Sequence, residues 1–245
     1  MKKLMIIAFL TVSNVICVAQ ESVLLRYKMK KGEKYQLTMT MKQDMGATGG
    51  MNMKFKFNSS IGEVNKGSYV SETKVKALSM DMLQGGNVMS YDSTKSDDEL
   101  DMMGKQMKAQ FAPFFKATIY TTTSSRGKVT NTEIKPNTPA LNQFKDQNNS
   151  IEYPEEKVKV GSTWSDENEN QGMKMKTIYT VSKITKDKVL IDVTGNVSGL
   201  GTGKITGKVV VERASGIPSS SEINVNVNAG GAEVKISTKA IMKKI

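Results

Sequence analysis

The sequence predicts a mainly β protein: long curved antiparallel sheets or an open half-barrel, one amphipathic helix packed on it, and two halves that read as pseudo-repeats. Three observations point there. Apolar and polar residues alternate with a period of two through most of the chain beyond residue 20, as in half-buried antiparallel strands. Glycine pairs and short polar turns punctuate that alternation. One segment instead places apolar residues at helical intervals.

Met1-Lys2-Lys3, the apolar run Leu4 to Leu10 and the small and polar residues reaching Ala19 have the order of a secretory signal, so residues 1–19 are expected to leave and Gln20 to begin the mature chain. The apolar run is shorter than the roughly 20 residues a membrane-spanning helix needs. The expected location is therefore periplasmic or extracellular. Cys17 opens a second possibility, lipid anchoring. The bulky Ile16 stands where a lipobox requires a small residue, which makes anchoring the weaker expectation.

Tyr35, Leu37, Met39 and Met41 share one face of a strand, with Gln36, Thr38, Thr40 and Lys42 on the other. Strands are then expected at 51–64, 68–83, 86–91, 117–124, 127–134, 172–184, 187–197, 203–213, 220–228 and 232–242, divided by turns at Gly-Gly 49–50, 85–86 and 230–231, Asn65-Lys66-Gly67 and Lys186-Asp187. Within 68–83 the apolar phase slips between Ala77 and Leu78, which predicts a β-bulge. Ser96 and Glu99 have capping-box spacing, and Leu100, Met103, Met107, Phe111 and Phe114 recur helically, which predicts a helix over 97–112 that ends near Pro113. Thr138 followed by Pro139 predicts a shorter helix over 139–147.

The chain divides after the signal into halves of 20–135 and 136–245, which read equally as one continuous domain. Lys30-x-Gly32-x-x-Tyr35 returns as Lys159-x-Gly161-x-x-Trp164, and an offset of 120 pairs Met53 with Met173, Lys54 with Lys174, Lys56 with Lys176, Ile61 with Val181 and Val64 with Ile184. Each half also carries a late turn, Ser125-Arg126-Gly127 or Ser215-Gly216.

The stretch Val158-Lys-Val160-Gly161-Ser-Thr-Trp164, preceded by Pro154, resembles a family of uncharacterised exported bacterial β-rich proteins. That resemblance implies location and fold, and no activity. The architecture is also similar to the open half-barrels of periplasmic lipoprotein carriers, a likeness that does not fix function.

Composition narrows the chemistry. The chain has no histidine, and its one cysteine, Cys17, departs with the signal, so histidine- and cysteine-based catalysis and metal ligation are excluded from the mature protein. Loss of Lys2 and Lys3 leaves 33 basic against 24 acidic residues, a net charge of +9 on about 226 residues. The lysines alternate with apolar residues, as in Met53-Lys54-Phe55-Lys56-Phe57, and so read as solvated strand faces suited to solubility or an anionic envelope surface.

Methionine, at 17 residues, is unusually frequent. The pairs Met39/Met41, Met51/Met53, Met80/Met82 and Met173/Met175 each put two thioethers on one face of a strand; Met39, Met41, Met53, Phe55, Met80 and Met82 on strands, with Met103, Met107, Phe111 and Phe114 on the helix, are the candidate ligand-lining residues. Three uses are open: an irregular core, a flexible cavity for an apolar ligand, or a thioether Cu(I) site. Asp166-Glu-Asn-Glu-Asn-Gln-Gly172 reads as an acidic hairpin loop, because Thr177 stands where a calcium loop needs a bidentate glutamate. Gly199-Leu-Gly-Thr-Gly203-Lys204 reads as a hairpin, because Ile205 replaces the hydroxyl a phosphate loop requires. No carboxylate pair stands out, so no enzyme and no cofactor is expected. The leading expectation is a non-catalytic envelope carrier for an apolar ligand or acyl chain. The alternatives are a structural or interaction protein of the envelope and a Cu(I)-binding protein. Expected partners are the apolar ligand or an envelope protein, with no nucleic acid and no transmembrane segment.

Overall fold

The structure is a computed structural model that describes residues 21–65, 67–138, 141, 150–170 and 172–245. The expected signal peptide and, apart from Leu141, the expected helix at 139–147 lie outside the described residues. The elements are β1 (Ser22–Val23), β2 (Lys34–Asp44), β3 (Gly49–Asn65), β4 (Ser68–Gln84), β5 (Asn87–Asp92), α1 (Met102–Lys116), β6 (Thr118–Ser124) and β7 (Val129–Lys135), then β8 (Val158–Lys159), β9 (Thr163–Asn170), β10 (Met173–Ile184), β11 (Lys188–Gly199), β12 (Thr202–Glu212), β13 (Pro218–Ala229) and β14 (Ala232–Lys244). No helix among the described residues is long and apolar enough to cross a membrane.

Twelve of these strands form one antiparallel sheet in the order β7-β6-β4-β3-β2-β14-β13-β12-β11-β10-β9, with β5 paired to β4. The last strand joins the halves, since β14 pairs with β2 from Lys244↔Tyr35 to Lys235↔Asp44. The sheet does not close into a barrel; β7 and β9 are its ends. It nevertheless curls. Tyr153 takes the carbonyl of Arg126, in the β6–β7 turn, with its amide and that of Gly216, in the β12–β13 turn, with its hydroxyl, at 2.7 and 2.9 Å. Those turns lie six strands apart, about 29 Å in a flat sheet at ~4.8 Å per strand. One tyrosine can bridge them only if the sheet bends around it.

The repeat in the sequence is a repeat in hydrogen bonding. Gly32 donates to the Ile61 carbonyl at 2.8 Å and Ile61 donates back to Glu33 at 2.9 Å; Gly161 donates to Val181 at 2.8 Å and Val181 to Ser162 at 2.9 Å. Both glycines have φ of +86°, which explains why the motif keeps that residue. Along the sheet, β2, β3, β4, β6 and β7 correspond to β9, β10, β11, β12 and β13, displaced by six places.

Each segment that leads into a half crosses the hollow of the curl. The first pairs with the second as β1 with β8, through Ser22↔Lys159 and Val23↔Val158. Tyr27 donates to the Ser125 carbonyl and Lys28 to Ser215, both at 2.8 Å. The chain's three arginines hold this clasp. Arg26 donates to the carbonyls of Leu25, Pro154 and Glu155, Arg126 to the Tyr153 carbonyl and Glu155, and Arg213 to Glu21 and the Thr185 carbonyl. A side chain on Gly127 or Gly216 would strike the clasp backbone, with Cβ 2.3 Å from the Ile151 oxygen or 2.1 Å from that of Arg26.

The covered face has two main fillings. Val181, Val189, Ile191, Val193 and Val209 form a core with Val23, Leu25, Tyr153 and Val158 of the clasp. On the other half, Leu78, Met80 and Tyr91 pack against Leu100 and Met107.

Three expectations shift. The helix begins at Met102 because Asp101 caps it, accepting from the Gly104 amide at 2.7 Å, while Ser96 and Glu99 bond each other in the preceding turn. It runs past Pro113 to Lys116. The acidic run at 166–170 is no loop: it is edge strand β9, where Glu167 meets Lys176 at 2.8 Å across the β9–β10 ladder. Gly49 and Gly50 open β3 and do not form the turn. The expected bulge is present slightly earlier than the Ala77–Leu78 slip, with Lys76 the extra residue between the Phe57↔Val75 and Lys56↔Ala77 pairs.

Candidate functional site

On the covered face of the first half lies a cavity of about 210 Å³. Tyr35 and Leu37 of β2, Phe57 and Ile61 of β3, Tyr69 of β4 and Met242 of β14 supply apolar walls, and Tyr27 and Met29 reach over it from the first crossing segment. Hydroxyl side chains are interleaved with these: Ser59 on β3, Ser71 and Thr73 on β4, and Thr121 and Thr123 on β6.

The repeat explains why a space is left there. Ile61, Ser71 and Thr121 form a cross-strand row on β3, β4 and β6. The equivalent row on β10, β11 and β12 is Val181, Ile191 and Val209. The next row likewise sets Tyr69 and Thr123 against Val189 and Val211. In the second half the aliphatic rows are fully buried against the clasp. In the first half Ser71 is smaller than the Ile191 it corresponds to, and Thr121 and Thr123 set hydroxyls where Val209 and Val211 have methyls, so the row beneath the clasp is shortened at Ser71 and polar along its length.

Among the described residues no charged side chain lines the cavity. Burial pushes the Tyr27 phenol up to about 12, and burial also raises Tyr69, whose shift a hydrogen bond with Thr123 partly offsets. Tyr35 is raised by burial and by its hydrogen bond to Glu33, at 2.8 Å. All three are uncharged at neutral pH. Ser59 and Thr73 hydroxyls bond each other at 2.9 Å. The site can therefore hold an uncharged apolar segment and offer it a few hydroxyl contacts; a charged group would be left unpaired inside.

The residues expected to line a ligand site lie elsewhere on the same face. Met53, Phe55, Met80, Met107 and Phe111 come together as packed core beneath α1, with Phe111 stacked on Tyr91 at 5.7 Å. Met39 and Met41 sit on β2 beside that core, facing Phe55 and Met53. Phe114 packs in a separate cluster with Ala117, Ile134 and Leu141. Met82 lines a cleft at the far end of β3 and β4, and Met103 is 43% exposed. Of the cavity residues, the alternation in the sequence places Tyr35 and Leu37 on this face. The interleaved hydroxyls were missed. Their signal is the run Thr121-Thr122-Thr123 in β6, where the repeat has aliphatics.

Comparison with known proteins places the fold but no chemistry. Lipovitellin, in a structure describing its lipid–protein interactions, matches with a TM-score of 0.51 at 10% identity over 89% of this chain and 25% of that one, so the chain spans about a quarter of its length. A complex of MucB with the periplasmic part of MucA aligns at 9% identity over 86% of this chain and 89% of that one, with a TM-score of 0.13, which carries no argument. None of the curated proteins matches in sequence. Residues 137–231, which include the Val158–Trp164 motif and strands β8 to β13, match the model of a family of unknown function, DUF6263.

Proposed function

We propose that the chain is an exported, non-catalytic binding module that holds an acyl chain or similar apolar ligand in the cavity between its clasp and strands β2, β3, β4 and β6. The observation that carries this is the contrast between the halves: Ser71, Thr121 and Thr123 line a cavity at the positions where the second half packs Ile191, Val209 and Val211 solidly against the clasp. A volume of about 210 Å³ is below the ~300–1,000 Å³ usual for pockets that enclose whole drug-sized ligands, so it suits one chain of a lipid and not the whole molecule. The neutral lining favours the apolar end of such a ligand. The architecture shared with lipovitellin, a protein described by its lipid–protein interactions, supports the reading at the level of fold. The leader sequence of residues 1–19 supports export.

A fluorescent fatty acid titrated into the purified protein tests this. Saturable binding is expected, with Thr73→Phe, which fills the cavity, weakening it by about tenfold or more, roughly 1.4 kcal/mol. Met107→Leu, under the helix, should bind as the parent does. A Thr73→Phe protein that melts like the parent and still binds with unchanged affinity would remove the cavity from the account.

A further inference from the structure

The open face of the sheet is charged unevenly. On β14, β2, β3 and β4 it carries Lys239, Lys42, Lys54, Lys56, Lys74 and Lys76, all exposed, and none forms an ion pair with a described residue. Thr40 lies between Lys239 and Lys54, and Asn52 beside Lys42. The acids on the same face are Glu222 opposite Lys239, Glu72 two residues before Lys74, Asp44 two residues after Lys42, Asp81 opposite Asn52, and Asp92, which feels the charge of Lys56; none of them closes an ion pair with the six lysines. In the second half the pattern differs. Lys174 and Lys176 pair with Glu169 and Glu167, and Lys208 sits between Asp192 and Glu222.

We infer that this lysine face docks the protein on an anionic lipid bilayer. The charges are spread over four strands, about 15 Å across, and do not converge as a pocket for one small anion would require. They are all lysines, because the three arginines are used in the clasp. Lysines present compact point charges, suited to a diffuse layer of headgroups, where arginines would give bidentate contacts to a fixed partner. Lysines close to an anionic membrane surface each add to the attraction, so six suffice for salt-sensitive, reversible attachment. Among the described residues β14, β2, β3 and β4 present no aromatic side chain on that face to stack a nucleic-acid base, and Tyr120 on neighbouring β6 already has Lys135 over its ring. The cavity opens on the opposite face, so docking by the lysines leaves it unobstructed.

Sedimentation with vesicles is the test. The purified protein should bind phosphatidylcholine vesicles containing about 30% phosphatidylglycerol and ignore pure phosphatidylcholine, with binding falling at least tenfold between about 0.05 and 0.3 M salt. Lys54→Glu/Lys56→Glu should lose about tenfold or more. Lys186→Glu/Lys188→Glu, an equal charge change at the β10–β11 turn, should lose less than about twofold. Equal losses in the two double variants would overturn the inference, as would soluble polyphosphate binding as tightly as the vesicles. Vesicle binding retained by Thr73→Phe separates this face from the cavity reading.

Discussion

Glu33 shows how much one side chain holds in this fold. It sits at the repeated turn and accepts from the Lys244 ammonium at 2.7 Å, the Tyr35 hydroxyl at 2.8 Å and the Lys30 amide at 3.0 Å, tying the first turn to the last strand. Its counterpart in the second half, Ser162, makes only the equivalent bond to the Lys159 amide, at 2.9 Å. The hydrogen bond from Lys244, then that from Lys30, holds the Glu33 carboxyl down at about 2. An unfolded glutamate titrates near ~4.3, so the carboxylate's stabilisation is complete above that pH and is lost as pH falls toward 2. Glu33→Gln should cost about 1 kcal/mol at neutral pH, a modest figure because Lys244 is largely in solvent. Thermal melts of the two proteins should differ most near pH 7 and converge by about pH 2. A gap that stays constant over that range would mean that the charge of Glu33 contributes nothing.

The helix α1 separates what the sequence states from what only packing decides. Its apolar face makes Met107 a buried neighbour of Met80 and Tyr91, whereas Met103, one turn earlier, is 43% exposed. Met107→Ala should therefore cost about 2–5 kcal/mol and Met103→Ala within about 0.5, read from urea midpoints at constant slope. Similar costs at both positions would show that the helix packs on a different face. Periodicity put both residues on one apolar stripe and could not rank them, since the stripe is wider than the contact. The strands were legible because alternation and turn chemistry agree almost everywhere. Strand β9 was not, because an edge strand with Asp166, Glu167 and Glu169 has the composition of a loop and is held by lysines across the ladder. The cavity stayed hidden for another reason. The offset of 120 aligns Ser71 with Ile191, but α1 is inserted before β6, so Thr121 matches Val209 only once the sheet shows which strands correspond.

At the scale of the molecule, the two halves stand or fall together, because β14 lies between β13 and β2 and the clasp ties the β6–β7 turn to the β12–β13 turn. Buried phenols run through all of it. Tyr27 and Tyr153 stack at 5.4 Å inside the clasp, Tyr35 and Tyr69 line the first half, and Tyr179 stacks on Trp164 in the second, also at 5.4 Å. Burial is the main cause that raises each of them, Tyr27 and Tyr179 to about 12. A phenol whose folded pKa exceeds its unfolded value of about 10 binds its proton more tightly in the native state, so its contribution is complete below pH ~10 and is lost as pH rises toward 12. Five such groups act in the same direction. Deprotonation should therefore coincide with unfolding: absorbance at the phenolate band and loss of β-sheet circular dichroism should trace one steep transition between about pH 10 and 12. Since Tyr179 is in one half and Tyr69 in the other, a single transition would also report that the halves unfold as one unit. Phenolate absorbance that rises gradually around pH 10 while the sheet signal persists would show that these tyrosines reach solvent in the native protein, and a two-step loss of sheet would show that the seam between β14 and β2 yields before the rest.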